Sequence, residues 1–172
     1  MNLNSIVKNI KFSGSLDNRE ILYITHDSRK VKEGTLFIAI AGGKYDGHDY
    51  IFEAIDKGAI AVIANGRAPI TKKVPILQVT NPRKIMSKIA ANFYENPSKE
   101  TKIIAVTGTN GKTTTTQIID YILKLNNKNS SSLGTLGFST TTGIISTGFT
   151  TPESIDLHQI IRTMVNGGIE YI

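Results

Sequence analysis

Short apolar runs alternate with polar stretches along the chain, and the runs predict buried strands. These strands are expected at residues 21–25, 35–40, 59–64, 76–79 and 103–106. Elsewhere, apolar side chains recur at helical spacing and predict four helices. They are expected around residues 52–55, over 82–94, after the glycine turn at 108–111 with its apolar residues between 118 and 125, and from 152 to the glycine pair at 167–168. Alternating strands and helices are typical of an α/β fold.

Polar capping residues mark where two of these helices begin. Asn81 is a good N-cap because Pro82 follows it at the first helical position. Thr151 and Pro152 repeat the same arrangement, and Glu153 would lie beside the positive end of the helix dipole. We therefore expect helices to start at both sites.

A domain boundary is predicted where the helix over 82–94 ends. The Asn-Pro-Ser sequence at residues 96–98 breaks that helix. No internal repeat crosses this point. We expect two domains, residues 1–98 and 99–172.

The most distinctive stretch is 103–116, where a predicted strand runs into a glycine-containing loop and then a helix. Such a junction offers backbone N–H groups and the positive end of the helix dipole to an anion. Gly108 and Gly111 are expected where a side chain would block phosphate or where φ is positive. Lys112 would reach the β- and γ-phosphates, and the Thr113 hydroxyl would ligate Mg²⁺.

This loop departs from the commonest phosphate-loop pattern. That pattern has a glycine five residues before the Gly-Lys pair, where this chain has Val106. An ordinary turn rich in Gly, Lys and Thr is the alternative interpretation of so short a motif. The strand before the loop and the helix after it favour a phosphate site.

The composition excludes some classes of protein. Forty per cent of the 172 residues are hydrophobic, enough for a packed core in one or two domains. No run of about 18 apolar residues predicts a membrane span. There is no cysteine, which excludes disulfides and thiolate catalysis. The N-terminus lacks the charged-then-apolar order of a signal peptide, so we expect a cytoplasmic protein.

The positive charge is concentrated upstream of the glycine loop. The net charge is +6; residues 1–100 contain 15 Lys and Arg against 10 Asp and Glu, and residues 101–172 contain 5 against 4. This excess suits an anionic ligand for the first domain, with a solvated surface as the alternative. No basic stripe is interleaved with aromatic residues, so a nucleic-acid partner is not expected.

Two polar loops follow predicted strands in the first domain. The Asp-Ser-Arg sequence at 27–29 is either a simple turn, because Asp and Ser readily bond their own backbone, or part of a ligand site. The loop at 41–49 is rich in glycine, and His48 is expected to be structural within its Asp-Gly-His turn. His26, His48 and His158 have no metal-ligand spacing.

The sequence at 107–115, Thr-Gly-Thr-Asn-Gly-Lys-Thr-Thr-Thr, resembles the ATP loop of the Mur ligases, which form amide bonds in peptidoglycan assembly. The motifs at 27–29, 34–39, 46–49 and 58–62 are similar to the N-terminal domain of these enzymes. The resemblance covers essentially the whole chain. It implies a small α/β uridine-nucleotide-binding domain followed by the start of a P-loop-type parallel α/β ATPase domain.

The resemblance also assigns residues to ATP. The ATP-binding residues would be Gly108, Thr109, Asn110, Gly111, Lys112, Thr113 and Thr114. Lys112 and Thr113 would be catalytic, because they stabilise charge on the transferring phosphoryl group, and Thr113 would hold Mg²⁺ with ligands from beyond residue 172.

A second group of residues would bind the uridine-nucleotide substrate. By position, His26 and Ser28 would lie against the uracil and ribose, and Gly43, Lys44 and Tyr45 would line the same pocket. In the family an apolar residue is more usual at the position of His26.

Two further motifs separate the branches of the family. The sequences at 133–137 and 150–157 are similar to the branch that adds the third amino acid to UDP-MurNAc-L-Ala-D-Glu, and not to the branch that adds the terminal dipeptide. In the first branch a Thr-Thr pair contacts the muramoyl-peptide, a role that Thr150 and Thr151 would inherit.

The implied reaction is ATP-dependent amide formation. The D-glutamate carboxylate is converted to an acyl phosphate, which the amine of diaminopimelate or lysine attacks. Residues 169–172 resemble the start of a strand, so we expect the chain to be the N-terminal third of a longer, monomeric enzyme and inactive alone. The alternatives are a dipeptide-adding ligase and a nucleotide-binding module without catalysis.

Overall fold

The computed structural model describes residues 1–43, 45–69, 71, 73–134, 137–140, 143–145 and 152–172. The chain divides into two compact units, Met1–Phe93 and Tyr94–Ile172. The domain boundary predicted from the sequence, between residues 98 and 99, lies within a few residues of this division. The short 3-10 turn Pro97–Lys99 packs against the last helix of the second unit.

In the first unit, strands and helices alternate as the apolar pattern predicts. The elements are α1 (Leu3–Ile6), β1 (Tyr23–Thr25), β2 (Thr35–Ile38), α2 (Ile51–Asp56), β3 (Ala59–Ala64), β4 (Ile76–Gln78) and α3 (Pro82–Phe93). The four strands form one parallel sheet in the order β1-β2-β3-β4. The four strands predicted here are confirmed, and β3 has the predicted bounds.

The sheet of the first unit is buried on both faces. Every residue of β2 is buried, which explains its unbroken apolar sequence. On one face, Phe37 and Val62 pack with Ile51 and Ala54 of α2. Helices α1 and α3 bury further side chains, namely Leu3, Ile6, Met86 and Ile89. The Asn92 side chain joins these two helices, since its Nδ2 donates to the Ile6 carbonyl at 2.8 Å.

The second unit contains two long helices and a small antiparallel sheet. Its elements are α4 (Lys112–Leu125), β5 (Leu133–Gly134), β6 (Gly137–Thr140), β7 (Gly143–Ile145) and α5 (Ser154–Asn166). The three strands pair in the order β5-β6-β7. This hairpin-like sheet was not predicted from the sequence. Within the described ranges of the chain, no helix combines the length and apolar character needed to cross a bilayer.

Three extended segments of the second unit also run parallel to one another. Residues 170–172 lie between 102–104 and 129–131, with bridges from Tyr171 to Lys102 and to Ser130. The amide of Ile104 donates to the Ile172 carbonyl at 2.8 Å, and the amide of Ser131 donates to the Tyr171 carbonyl at 3.0 Å. This pairing is the start of a parallel sheet, as the predicted fold class requires.

Three expectations for the second unit need correction. Residues 103–106 do not form a buried strand, because Ile103 and Ile104 are 47% and 44% exposed. Helix α4 follows the glycine turn as predicted, but none of the residues on its predicted apolar face is buried. Helix α5 begins at Ser154 with Glu153 at the N-cap position, two residues later than expected. The predicted cap, Thr151, lies outside the described residues.

Candidate nucleotide-binding sites

The glycine loop of the second unit leads directly into α4. Gly111 has φ of 78° and occupies the N-cap position, and Lys112 is the first helical residue. A Cβ built at Gly111 would have no atom within 4 Å, so there is room for a side chain. Glycine is required there because of the positive φ. Gly108 also has positive φ, at 156°. These two glycines shape the turn that brings the chain to the helix N-terminus.

Lys112 folds back over this loop. Its Nζ donates to the Gly108 carbonyl at 2.5 Å and to the Thr109 carbonyl at 3.1 Å. The ammonium group therefore lies beside the N-terminus of α4, where the helix dipole also contributes positive charge. Thr113 and Thr114 are exposed in the first turn. The structure thus brings together the residues that were predicted to bind ATP.

The predicted metal ligand can be located, but the described residues do not form a complete metal site. Thr113 is exposed in the first turn of α4, next to Lys112. Among the residues that the structure describes, no group of three or more His, Cys, Asp or Glu could hold an ion. A hydroxyl of this kind can supply one oxygen ligand to Mg²⁺, a cation that keeps several waters.

A cavity of about 540 Å³ lies in the first unit. Two of its walls come from loops that follow adjacent parallel strands, β1 and β2, and ligands of α/β proteins commonly bind at this carboxyl edge of a sheet. Its lining residues are His26, Asp27, Ser28, Arg29, Phe37, Ile40, Gly42, Tyr45, Gly47, Tyr50, Glu53 and Arg83.

Three residues predicted to bind the uridine nucleotide therefore share this cavity, namely His26, Ser28 and Tyr45. Gly43 is not among the described residues that line it, although its neighbour Gly42 is. Lys44, Thr150 and Thr151 lie outside the described residues.

The first loop of the cavity is both a turn and a cavity wall. The Asp27 carboxylate caps the 3-10 turn Ser28–Lys30 by accepting from the Arg29 amide at 3.0 Å. The same carboxylate accepts from Arg29 Nε at 2.9 Å and from Nη2 at 2.7 Å. The hydrogen bond from the Arg29 side chain, opposed by partial burial, lowers the pKa of Asp27 to about 2. Asp27 is thus ionised at neutral pH and fixes the position of Ser28.

The second loop is closed by Asp46, Gly47 and His48. The Gly47 amide donates to the Ile40 carbonyl at 2.9 Å, and a Cβ at Gly47 would lie 2.8 Å from that oxygen. His48 is buried, with Nδ1 2.5 Å from the Asp46 carboxylate and Nε2 accepting from the Asn65 amide at 3.4 Å. The prediction that His48 is structural is confirmed.

His26 has an unusual environment. Its Nδ1 is buried and makes no hydrogen bond within the described part of the chain. A buried polar atom without a hydrogen bond is costly, so Nδ1 of His26 lowers the stability of the fold.

The sequence did not single out Tyr50, Glu53 and Arg83 as cavity residues. Tyr50 and Glu53 lie three positions apart at the start of α2, a spacing that puts them on one helix face. This spacing could have identified them as a pair. Arg83 comes from α3, more than 50 residues after Ser28, and no local pattern connects it to the cavity.

The parallel sheet and the glycine loop at a helix N-terminus are the features of an α/β nucleotide-binding protein. Residues 20–94 match the family model described as "Mur ligase family, catalytic domain", and residues 106–172 match "Mur ligase middle domain". The chain belongs to the Mur ligase family, as the sequence motifs predicted.

The relatives have more specific names. The UDP-N-acetylmuramoyl-L-alanyl-D-glutamate–2,6-diaminopimelate ligase of Clostridioides difficile (strain 630) is 43% identical over 99% of this chain and 36% of its own length. A solved structure of a ligase of the same name has a TM-score of 0.78 at 21% identity, covering 99% of this chain and 34% of that one, which shows the shared fold.

A further solved structure is the MurF ligase of Thermotoga maritima in complex with ADP. It is 31% identical over 82% of this chain and 29% of its own, with a TM-score of 0.55. The present chain spans about a third of the length of the curated relatives that it matches.

Proposed function

We propose that this chain binds ATP and a uridine-nucleotide substrate in a ligase that adds 2,6-diaminopimelate to UDP-N-acetylmuramoyl-L-alanyl-D-glutamate. The observation that carries the proposal is the 43% identity to a ligase of that name, which extends over 99% of the chain. This match includes both the cavity of the first unit and the glycine loop of the second. We propose diaminopimelate and not lysine as the added amino acid, because the curated relatives are named for diaminopimelate.

In this proposal, the glycine loop holds the phosphates of ATP. Residues Gly108 to Thr114 supply backbone N–H groups at the start of α4, and the Lys112 ammonium exchanges its loop carbonyls for phosphate oxygens. Thr113 contributes its hydroxyl to Mg²⁺. ATP supplies the phosphoryl group that activates the carboxylate, and Lys112 stabilises charge on it.

The cavity of the first unit is proposed to hold the uridine diphosphate part of the substrate. Ser28 and Tyr45 supply hydroxyl groups, and His26 lies on the same wall. The volume of about 540 Å³ is in the range of small-molecule sites. Lys44, Thr150 and Thr151 are proposed to contact the same substrate on the basis of their motifs. Binding remote from the reacting carboxylate helps to position it.

Isothermal titration calorimetry with MgATP tests the role of the glycine loop. Lys112→Ala is expected to weaken ATP binding by about tenfold or more, because a charged hydrogen bond to phosphate is lost. Lys128→Ala, at an exposed lysine after α4, serves as the control and should bind as the wild type does. Equal affinity in the wild type and Lys112→Ala would contradict the proposed ATP site.

Comparison of two substrates tests whether the chain belongs to the branch that adds diaminopimelate or to the branch that adds the terminal dipeptide. The chain is expected to bind UDP-N-acetylmuramoyl-L-alanyl-D-glutamate more tightly than the corresponding tripeptide that already carries diaminopimelate. A preference for the tripeptide would instead favour the branch that adds the terminal dipeptide.

A further inference from the structure

Arg83 reaches the cavity from an element that carries none of the predicted binding residues. It lies in the first turn of α3, which begins at the buried Pro82. The Asn81 carboxamide caps this turn by accepting from the Lys84 amide at 3.0 Å. The cap and the proline fix the backbone of the turn, so Arg83 is held on the cavity wall by rigid structure.

The two acidic side chains of the wall, Asp27 and Glu53, each lie beside a basic side chain. Arg29 directs Nε and Nη2 to the Asp27 carboxylate, at 2.9 and 2.7 Å. Glu53 lies 2.5 Å from Lys57, one helical turn away in sequence. The negative charges of Asp27 and Glu53 are therefore neutralised locally by Arg29 and Lys57. Nε and Nη2 of Arg29 already bind the Asp27 carboxylate.

We propose that Arg83 binds the diphosphate of the uridine nucleotide and makes the cavity selective for the diphosphate over the bare nucleoside. This inference rests on the proposed function of the cavity. A guanidinium group has five N–H donors in a planar fork that matches two phosphate oxygens. Arg83 can therefore bind phosphate while it keeps a bond to another group. Ser28 and Tyr45 line the same cavity, where they are proposed to contact the ribose and base.

The test compares UDP with uridine as ligands of the full 172-residue chain, by NMR titration of isotope-labelled protein. Wild type is expected to prefer UDP. Arg83→Gln should lower UDP affinity about tenfold or more while uridine affinity stays the same, because only the diphosphate contact is removed. Arg83→Lys should fall between the two, since lysine keeps the charge and loses the fork. Lys84→Gln, one residue away and outside the cavity, should match the wild type.

The outcomes separate this inference from the proposed function. UDP affinity that is equal in Arg83→Gln and the wild type would overturn the inference and leave the uridine site intact. An equal loss of UDP and uridine binding, in a variant whose amide spectrum remains dispersed, would also overturn it, because Arg83 would then support the shape of the cavity. If the wild type binds neither ligand, the proposed uridine site fails and the inference fails with it.

Discussion

Single residues set the geometry of both candidate sites in this chain. Asp27 and Asp46 each cap a 3-10 turn beside the cavity, and each is oriented by a neighbouring base, Arg29 or His48. Gly111 supplies the left-handed conformation that turns the glycine loop into α4. Asp27 and Asp46 each accept a hydrogen bond from a backbone amide two residues away, and Gly111 determines the backbone conformation at its own position. The local sequence therefore contains the relevant information.

The Asp27–Arg29 pair predicts a pH-dependent contribution to stability. Because the folded-state pKa of Asp27 is lowered to about 2, its contribution is present above the ordinary carboxyl pKa and is lost as pH falls towards 2. Between pH 5 and pH 2, the wild type is expected to lose about 1 to 2 kcal/mol more unfolding free energy than Asp27→Asn. Urea unfolding at a series of pH values measures this difference, and parallel pH profiles for the two proteins would contradict the expectation.

His26→Leu is expected to stabilise the first unit. The substitution removes a buried nitrogen that has no hydrogen bond within the described residues, and should raise the free energy of unfolding by about 1 kcal/mol. His26→Gln keeps a polar side chain and should give no such gain. Thermal and urea unfolding of the three proteins provide the measurement. A lower free energy of unfolding for His26→Leu than for the wild type would contradict this expectation.

At the scale of elements, burial depends on what packs against a segment and not only on its apolar content. Helix α4 has the predicted apolar residues, yet Ile118, Tyr121, Ile122 and Leu125 are between 52% and 64% exposed. Their spacing puts them in one stripe along the helix. The spacing predicted the helix correctly, because helix formation is local. It did not predict burial, because burial requires a second element against that stripe.

Helix α5 shows how an element can be held by one side chain. Arg162 donates through Nε to the Tyr94 carbonyl at 2.9 Å and through Nη2 to the Glu95 carbonyl at 3.2 Å. It also pairs with both oxygens of Glu100, at 2.6 and 3.1 Å. Glu95 and Asn96 both have positive φ, a conformation that asparagine tolerates but that is unfavourable for glutamate. The guanidinium therefore stabilises a strained turn against α5.

Loss of this guanidinium should loosen the turn. Arg162→Ala is expected to lower the free energy of unfolding by about 2 kcal/mol, because two backbone carbonyls lose a charged donor. Amide hydrogen exchange over residues 94–100 should become faster. Arg162→Lys should recover part of the protection, since an ammonium group can reach fewer of these acceptors. Unchanged exchange in Arg162→Ala would show that the turn is held by its other contacts.

At the scale of the whole molecule, the chain consists of two compact units with separate candidate sites. The four-stranded sheet and its core belong to Met1–Phe93, and the glycine loop belongs to Tyr94–Ile172. The cavity lined by Ser28, Tyr45 and Arg83 is formed by residues of the first unit alone. The first unit therefore has the components of an independently folding domain.

A fragment of residues 1–93 is expected to fold and to unfold with the same midpoint as a fragment of residues 1–98. The physical reason is that Pro97–Lys99 packs against α5 and that the carbonyls of Tyr94 and Glu95 bond to Arg162, so residues 94–98 stabilise the second unit. Dispersed amide spectra and thermal unfolding of both fragments test this. A much lower midpoint for residues 1–93 would place the boundary at residue 98, as the sequence alone suggested.

The sequence by itself determined the elements whose causes are local. The apolar run at 59–64 predicted β3 with its observed bounds, and Asn81 with Pro82 predicted the start of α3. The glycine turn at 108–111 likewise predicted that a helix follows it, and α4 does so. Apolar runs, N-caps and positive-φ glycines act through neighbours within a few residues, so their effect can be predicted without the fold.

Only the tertiary structure decided which residues meet in the cavity and which apolar surfaces are buried. The parallel pairing of β1 with β2 brings the loop of Ser28 beside the loop of Tyr45, and α3 adds Arg83 from far along the chain. The apolar residues of α4 and of residues 103–106 are not buried, because burial requires packing partners that the local sequence does not specify. Sheet order and helix packing set these distances, and both arise from contacts across the whole core that no short stretch of sequence specifies.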